Sequence, residues 1–256
     1  MTAIDLTADD LFLLTLAGCF VGVLNTLAGG GSLLAIPLLM WLGLPAINAA
    51  ATSRPAIVLQ NIVAVASFRR QGLYRGGVAR RAALLGLLTI PGAILGAWFL
   101  AFHVDGELFK RLLGCVMIVV AVATWRRRRR GEGQGTQSPQ WFLFLLFGLV
   151  GFYGGFIQAG VGFVIMTVLF HFTVGQSTAQ VNAIKVLVTL AFCLIGAVVL
   201  FLSGRIHPLP AVCLAAGQGV GGAIGARLSI GLAERYLMGI YTILLIVFAA
   251  ALLVGL

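Results

Sequence analysis

The chain has 256 residues, of which 61% are hydrophobic and 9% are charged, and its mean hydropathy is +1.09. A chain this apolar would expose too much hydrophobic surface in water, which excludes a soluble globular domain and makes a lipid bilayer its solvent. The formal net charge of +10 is compatible with nucleic-acid binding, but the positions of the basic residues argue against it.

Ten of the 17 basic residues lie in two groups at the ends of apolar segments. The first group is Arg69, Arg70, Arg75, Arg80 and Arg81, and the second is the arginine run 126–130. Basic residues that flank membrane spans mark the cytoplasmic side, so the charge indicates orientation. We therefore expect both basic groups to lie on the cytoplasmic side. The lipid bilayer is an expected partner, and nucleic acid is not.

The apolar segments predict an all-α, polytopic membrane protein. In chain order they lie at residues 11–28, 32–44, 48–68, 78–101, 108–125, 141–157, 161–174, 178–202, 209–230 and 236–256. Segments of about 20 residues can span a bilayer, whereas segments of about 13 residues cannot. The two short segments, 32–44 and 161–174, follow glycine-rich breaks, so each is predicted to be half of a broken or re-entrant helix.

The two halves of the chain resemble each other at positions about 130 residues apart, as expected for a duplicated membrane bundle. Residues 49–54 match residues 179–184, and residues 92–97 match residues 221–226. This similarity predicts a first repeat at 1–125, a polar, basic cytoplasmic linker at 126–140, and a second repeat at 141–256.

The number of crossings in each repeat sets the relative orientation of the two copies. If each glycine-broken segment returns to its own side, a repeat crosses three times and the second copy is inverted relative to the first. If the broken segments cross fully, each repeat crosses four times and the copies are parallel. We favour inversion, and the parallel arrangement is the alternative.

Both glycine breaks are candidate parts of a binding site. Glycine-interrupted hydrophobic segments at matching positions of two halves point to a transporter site, because the freed backbone groups and the start of the following half-helix attract anions. The residues expected there are Asn25, Gly29, Gly30, Gly31 and Ser32 in the first half and Gln158, Gly160 and Gly162 in the second. Glycines 92, 96, 221 and 225 instead have the spacing of close helix packing.

Two basic residues, Arg54 and Lys185, lie inside apolar segments at nearly equivalent repeat positions. A charge near mid-bilayer costs about 2.5–3.5 kcal/mol even on lenient scales, so it normally faces a cavity or a partner. The alternatives are snorkelling to the interface and, for Arg54, a local helix start at Pro55. The neighbouring polar residues Thr52, Ser53 and Asn182 are included in the candidate site.

The interior is expected to be positive. All seven acidic residues fall in tails, loops or span ends, which leaves no carboxylate to couple protons or sodium or to bind a cation. Gln60, Asn61 and Gln218 are expected to make hydrogen bonds between helices, with substrate contact as the alternative. No cofactor, metal site, nucleotide loop or catalytic residue is predicted, and the chain is not expected to be an enzyme.

The chain resembles the TauE/SafE sulfite exporters of the 4-toluene sulfonate uptake permease family over almost its whole length. The resemblance rests on Gly22-Val-Leu-Asn25-Thr-Leu-Ala-Gly29-Gly30-Gly31-Ser32, on Pro45-x3-Ala49-x2-Thr52-Ser53, and on Gln158-Ala-Gly160-Val-Gly162. It implies a multi-pass protein of the bacterial inner membrane that moves sulfite, sulfonates or related anions. Family members often carry Thr-Ser in both copies, whereas the second copy here reads Asn182-Ala183.

The leading hypothesis is thus an exporter of a small sulfur-containing anion that works by alternating access between the two broken helices. An uptake permease for organosulfonates and a non-transporting membrane scaffold or assembly protein are the alternatives. The expected partners are a small anionic substrate and the bilayer, and a homo-oligomer is compatible with the sequence.

Overall fold

The computed structural model describes residues 6–129, 140–172, 177–228, 246–247 and 249–250. Within these residues the regular secondary structure is entirely helical. The helices are α1 Ala8–Ala28, α2 Ser32–Trp41, α3 Ala46–Arg70, α4 Val78–His103, α5 Gly106–Arg129, α6 Gln140–Phe156, α7 Val161–Phe172, α8 Thr178–Leu202 and α9 Pro208–Leu228.

Each of the first nine apolar segments forms a helix with nearly the expected bounds. Five of these helices, α1, α3, α4, α8 and α9, are long and apolar enough to cross a membrane. The prediction of an all-α, multi-pass membrane protein is confirmed. Most of the linker 126–140 and most of the segment 236–256 lie outside the described residues.

The two glycine-rich breaks separate a long helix from a short one in each half. α1 ends at Ala28, and the next residue, Gly29, has a left-handed φ of 75°. The N–H of Gly29 donates to the main-chain oxygen of Asn25 at 2.8 Å. Between α6 and α7, Gln158 and Gly160 have left-handed φ angles of 62° and 73°. A left-handed residue ends a helix and turns the chain, which is why glycine is favoured there.

α2 leads back towards the start of α3. Ser32, its first residue, lies beside the same cavity as Ile57 and Asn61 in the middle of α3. α2 has 10 residues and is about 15 Å long at a rise of 1.5 Å per residue. Residues 42–45 then connect it to Ala46 at the start of α3. α1 and α2 therefore form a hairpin that turns at the depth of the middle of α3.

Glycine faces allow each broken helix to pack closely along a helix of the other half. On α9, Gly217 faces Thr15 and Gly221 faces Cys19 of α1, so these two helices run in the same direction. Gly92 and Gly96 of α4 face residues 148–156 of α6 in the same way. The close packing predicted for glycines 92, 96, 221 and 225 agrees with these contacts.

The two equivalent helices α3 and α8 run antiparallel. Arg54 near the start of α3 lies against Gly196 near the end of α8, whereas Phe68 near the end of α3 packs with Val186 near the start of α8. Reciprocal contacts tie the halves together: the Tyr74 hydroxyl donates to the Ala183 oxygen, and the His207 N–H donates to the Thr52 hydroxyl.

Candidate functional site

The two helix breaks meet in the interior of the protein. Gly29 and Gly162 are both buried, and a Cβ on Gly29 would lie 2.5 Å from the Cα of Gly162. A side chain on Gly29 would therefore collide with the Gly162 backbone. The absence of a side chain on both residues lets the two backbones pack directly against each other. Both interruptions therefore face each other within the bundle.

A small cavity lies beside this contact. It is lined by Asn25, Gly29, Ser32, Ile57, Asn61, Gln158, Val161, Gly162, Lys185 and Thr189. The centre of a water molecule has about 10 Å³ in which to move there, close to the room that one water needs. A larger ligand would therefore need the lining groups to move apart.

The starts of both half-helices lie at this cavity. Ser32 is the first residue of α2, and Val161 and Gly162 are the first residues of α7. The start of a helix carries a partial positive charge from its aligned peptide dipoles, which favours an anion. The Ser32 hydroxyl donates weakly, at 3.4 Å, to the main-chain oxygen of Gln158, which links the two breaks.

Lys185 of α8 holds the end of α1. Its side chain is 2% exposed, and Nζ donates to the main-chain oxygens of Asn25 at 3.3 Å and Thr26 at 2.6 Å. Nζ also donates to Oδ1 of Asn182 at 3.0 Å. A cation at the end of a helix satisfies its last carbonyls and its partial negative charge.

Arg54 of α3 does the same for the end of α6. It is fully buried, and its guanidinium donates to the main-chain oxygens of Gly154, Gly155 and Phe156, the last three residues of α6. Because both cations are buried, neither snorkels to the interface. Arg54 is also not at a helix start, since α3 runs unbroken from Ala46 through Pro55.

The cations and helix ends together give the cavity a positive environment. The negative ends of α1 and α6 are covered by Lys185 and Arg54, while the positive ends of α2 and α7 lie at the cavity. Among the described residues no buried carboxylate opposes this charge. Such a charge distribution is electrostatically more favourable for an anion than for a cation.

Gln158 is the most unusual residue at the cavity. It is 3% exposed, its φ of 62° is the only left-handed non-glycine value in the described part of the chain, and neither polar atom of its side chain has a partner among the described residues. A buried amide without partners in a strained backbone is characteristic of a ligand-binding position.

Six of the thirteen residues proposed from sequence line the cavity: Asn25, Gly29, Ser32, Gln158, Gly162 and Lys185. Arg54 lies away from its lining. Gly31 supports the turn, since its N–H donates to Oδ1 of Asn25 at 3.2 Å. Gly30 accepts from the Leu33 N–H, and Gly160 packs against Leu33 and Val120.

The remaining proposed residues, Thr52, Ser53 and Asn182, also lie outside the lining and act on neighbouring groups. The Thr52 hydroxyl accepts from the His207 N–H, and the Ser53 hydroxyl donates to the Ala50 oxygen of its own helix. Asn182 accepts from Lys185. Asn182 therefore contacts a residue of the lining, whereas these bonds of Thr52 and Ser53 are made to residues outside it.

Three lining residues were missed, Ile57, Val161 and Thr189, and a fourth, Asn61, was given a place at the site only as the alternative. Thr189 lies four residues after Lys185 and therefore on the same helix face, a periodicity that could have identified it. Gln60 makes the expected hydrogen bonds between helices, accepting from Asn25 Nδ2 at 2.9 Å and donating to the Thr26 hydroxyl at 3.0 Å. Asn61 instead donates to the main-chain oxygen of Ile57 in its own helix and lies at the cavity. The side-chain amide of Gln218 has no hydrogen-bond partner among the described residues.

A multi-pass helical bundle whose site is formed where two discontinuous helices meet has the architecture of secondary transporters. Comparison with known proteins agrees with this class. The chain belongs to the sulfite exporter TauE/SafE family, whose model matches residues 14–252. It is therefore a member of a membrane-transporter family and not an enzyme.

Three curated relatives are described as probable membrane transporter proteins. The chain is 26% identical to the probable membrane transporter protein YfcA of Escherichia coli strain K12 over 91% of this chain and 85% of that one. It is 25% identical to a probable membrane transporter protein of Haemophilus influenzae over 88% and 87%. A Sinorhizobium probable membrane transporter, ORF9, is 29% identical over 62% of this chain and 60% of its own length. No solved structure matches.

Proposed function

We propose that this protein transports a small anion, most specifically sulfite, a sulfonate or a related sulfur oxyanion, across the bacterial inner membrane. The site is the cavity between the α1–α2 and α6–α7 breaks. The observation that carries the proposal is the convergence of two half-helix starts and the Lys185 ammonium on one buried cavity. A sulfur-containing substrate is proposed from the family to which the chain belongs. Its negative charge is proposed from the residues that line the cavity.

The lining suits an oxyanion with several acceptor oxygens. Ser32 and Thr189 offer hydroxyls, Gln158 offers an amide, and Lys185 offers positive charge. Hydrogen bonds from charged donors to anions are stronger than those between neutral groups. Ile57 and Val161 add apolar walls, and the low local dielectric beside such walls strengthens each electrostatic contact.

Export is the proposed direction because it needs no coupling ion. The described acidic residues, Asp9, Asp10, Asp105 and Glu107, lie at or beside the starts of α1 and α5, far from the cavity in sequence and outside its lining. An anion leaving a negative-inside cell gains about 2.3 kcal/mol per charge for each 100 mV. Uptake through the same site is the alternative direction, and a flux assay under an imposed potential distinguishes the two.

The repeats are proposed to be inverted. α1, α3 and α9 run one way and α4, α6 and α8 run the other, so that equivalent helices of the two halves oppose each other. This supports three crossings per repeat, with α1–α2 and α6–α7 as re-entrant hairpins. The 69–81 loop and the end of α5 then lie on one side, which we assign to the cytoplasm together with the linker 126–140.

Alternating access follows from this arrangement as a movement of the hairpins against the surrounding helices. The cavity has room for about one water in the present conformation, so it represents a closed state around the site. Opening towards either side requires the contact between Gly29 and Gly162 to loosen. Inverted repeats place one hairpin towards each side of the membrane.

The test is anion flux in proteoliposomes that contain the purified full-length protein. Sulfite, thiosulfate, sulfate and methanesulfonate are supplied separately, with and without an imposed potential. We expect flux of sulfite or the sulfonate, increased by a potential negative on the side of origin and abolished in Lys185→Met. Arg111→Ala, which removes a cation whose side chain is 73% exposed, is the matched control and should retain flux.

Flux of none of these anions in folded protein would contradict the proposal and favour a scaffold. Uphill movement driven by a proton gradient alone would contradict uniport.

A further inference from the structure

The two buried cations have equivalent positions but unequal surroundings. Each caps the broken helix of the other half: Lys185 caps α1 and Arg54 caps α6. Only Lys185 also lines the cavity. The difference matters because a cation that faces both a helix end and a ligand site can bind to either.

The Lys185 ammonium is suited to exchange its partners at the end of α1 for an anion in the cavity. This ammonium is a compact point charge on a flexible stem, and it donates to Asn25, Thr26 and Asn182. The carbonyl oxygens it holds carry only the partial charge of a helix end, whereas an anion in the cavity carries a full charge. An anion that enters beside Lys185 therefore competes with α1 for the same ammonium.

Arg54 is suited to stay in place. Its planar guanidinium contacts three consecutive carbonyls, and it fills space beside Gly196 where a Cβ would collide with Nη1. No residue of the cavity lining is among its hydrogen-bond partners. An anion in the cavity gains no direct contact with this guanidinium.

We infer that Lys185 is an exchangeable cap: anion binding draws its ammonium away from the end of α1 and frees the α1–α2 hairpin, while Arg54 keeps the α6–α7 hairpin clamped. This inference rests on the proposed function and adds that the two halves have different tasks. Substrate entry loosens the first hairpin, and the second serves as the fixed partner against which it moves. Lys185 contacts substrate, and Arg54 is a positioning residue.

The first test is hydrogen–deuterium exchange on the purified full-length protein with sulfite or with sodium chloride at equal ionic strength. Sulfite should increase exchange in peptides that cover residues 25–31, where the Gly29 N–H bonds to Asn25. Peptides that cover residues 154–161 should not change. An equal increase at both breaks, or an increase at the second alone, would overturn the inference.

The second test separates the two cations by anion-dependent thermal stability. Arg54→Lys should lower the melting temperature without anion, because an ammonium lacks the planar fork with which the guanidinium reaches three consecutive carbonyls. It should nevertheless retain the rise caused by sulfite. Lys185→Met should lose most of that rise, and Lys185→Arg should restore part of it. A full sulfite response in Lys185→Met, or its loss in Arg54→Lys alone, would overturn the inference.

These outcomes are distinguishable from failure of the proposed function. If the wild-type protein transports sulfite but the melting temperature of Lys185→Met still rises fully with sulfite, only the inference that Lys185 is an exchangeable cap is wrong. If wild-type protein neither transports nor responds to any of the four anions, the proposed function is wrong and the inference falls with it.

Discussion

Gly29 and Gly162 touch through their backbones at the centre of the protein, and no side chain separates them. One ends the long helix of the first half, and the other belongs to the first turn of the short helix of the second half. Their contact is therefore a joint between the halves as well as a wall of the cavity. The glycines are needed for this close approach.

A methyl group at this joint should be destabilising. Gly162→Ala places a Cβ against the Gly29 backbone, which cannot yield as a flexible side chain would. We expect a loss of about 1–3 kcal/mol, as for other overpacked interiors, together with loss of anion flux. Thermal unfolding in detergent measures the loss of stability, and an anion-flux assay in proteoliposomes measures the loss of transport.

Gly148→Ala is the matched control because a Cβ there meets nothing within 4 Å. It should be neutral or slightly stabilising, since alanine favours helix more than glycine does. Equal stability of Gly162→Ala and Gly148→Ala would show that the joint is looser than the structure describes.

Replacing Gln158 should separate stability from binding. Gln158→Gly relieves the left-handed φ of 62° and should stabilise the protein by about 1 kcal/mol. It also removes the amide from the cavity, which should weaken anion binding by about tenfold or more if the lost hydrogen bond to an anion contributes about 1.5–3 kcal/mol. Melting temperature and the half-saturating sulfite concentration are the two measurements.

Gln158→Asn keeps an amide and tolerates a left-handed backbone, so it should retain more affinity than Gln158→Gly. If the glycine variant bound sulfite as tightly as wild type, the amide would have no part in the site.

The space beside Arg54 gives a further prediction. Gly196→Ala introduces a methyl group where the Arg54 guanidinium lies, and the displaced group loses its carbonyl partners on α6. We expect destabilisation of about 1.5–3 kcal/mol, the usual contribution of a hydrogen bond to a charged group. Thermal unfolding of the purified variant measures the effect.

Gly219→Ala on α9 serves for comparison, because a Cβ there would make ordinary contact with the Leu59 side chain at 3.6 Å. It should unfold at nearly the wild-type temperature. A Gly196→Ala protein as stable as Gly219→Ala would mean that the guanidinium can relocate freely.

Thiol labelling tests the inverted arrangement. In a background without Cys19, Cys115, Cys193 and Cys213, single cysteines at Ala79 and Pro208 mark the exposed starts of α4 and α9. Inverted repeats place these equivalent positions on opposite sides of the membrane, so a membrane-impermeant reagent added to intact cells should label only Cys at position 208. Labelling of both from one side would indicate parallel repeats.

The broken helices were predictable because their signal is local. A bilayer requires about 20 residues per span, and the segments after Gly31 and Gly160 are too short. The burial of Lys185 was likewise predictable from a charge within an apolar run. These inferences need only composition, length and the conformational freedom of glycine.

The partners of the two cations could not be predicted. Lys185 binds main-chain oxygens about 160 positions away, and Arg54 binds oxygens about 100 positions away. Every residue has such an oxygen, so the sequence carries no mark of which one is chosen. The near symmetry of the repeats also concealed that only one cation reaches the cavity.

The reciprocal capping has a consequence for biogenesis. Since synthesis proceeds from the N-terminus, α1 enters the bilayer long before Lys185 has been translated, so the oxygens of Asn25 and Thr26 lack their native ammonium until α8 arrives. The first half is thus unfinished as an independent unit, and the second half needs Arg54 in turn. A gene split within the linker 126–140 should accordingly yield protein only when both fragments are produced in the same cell.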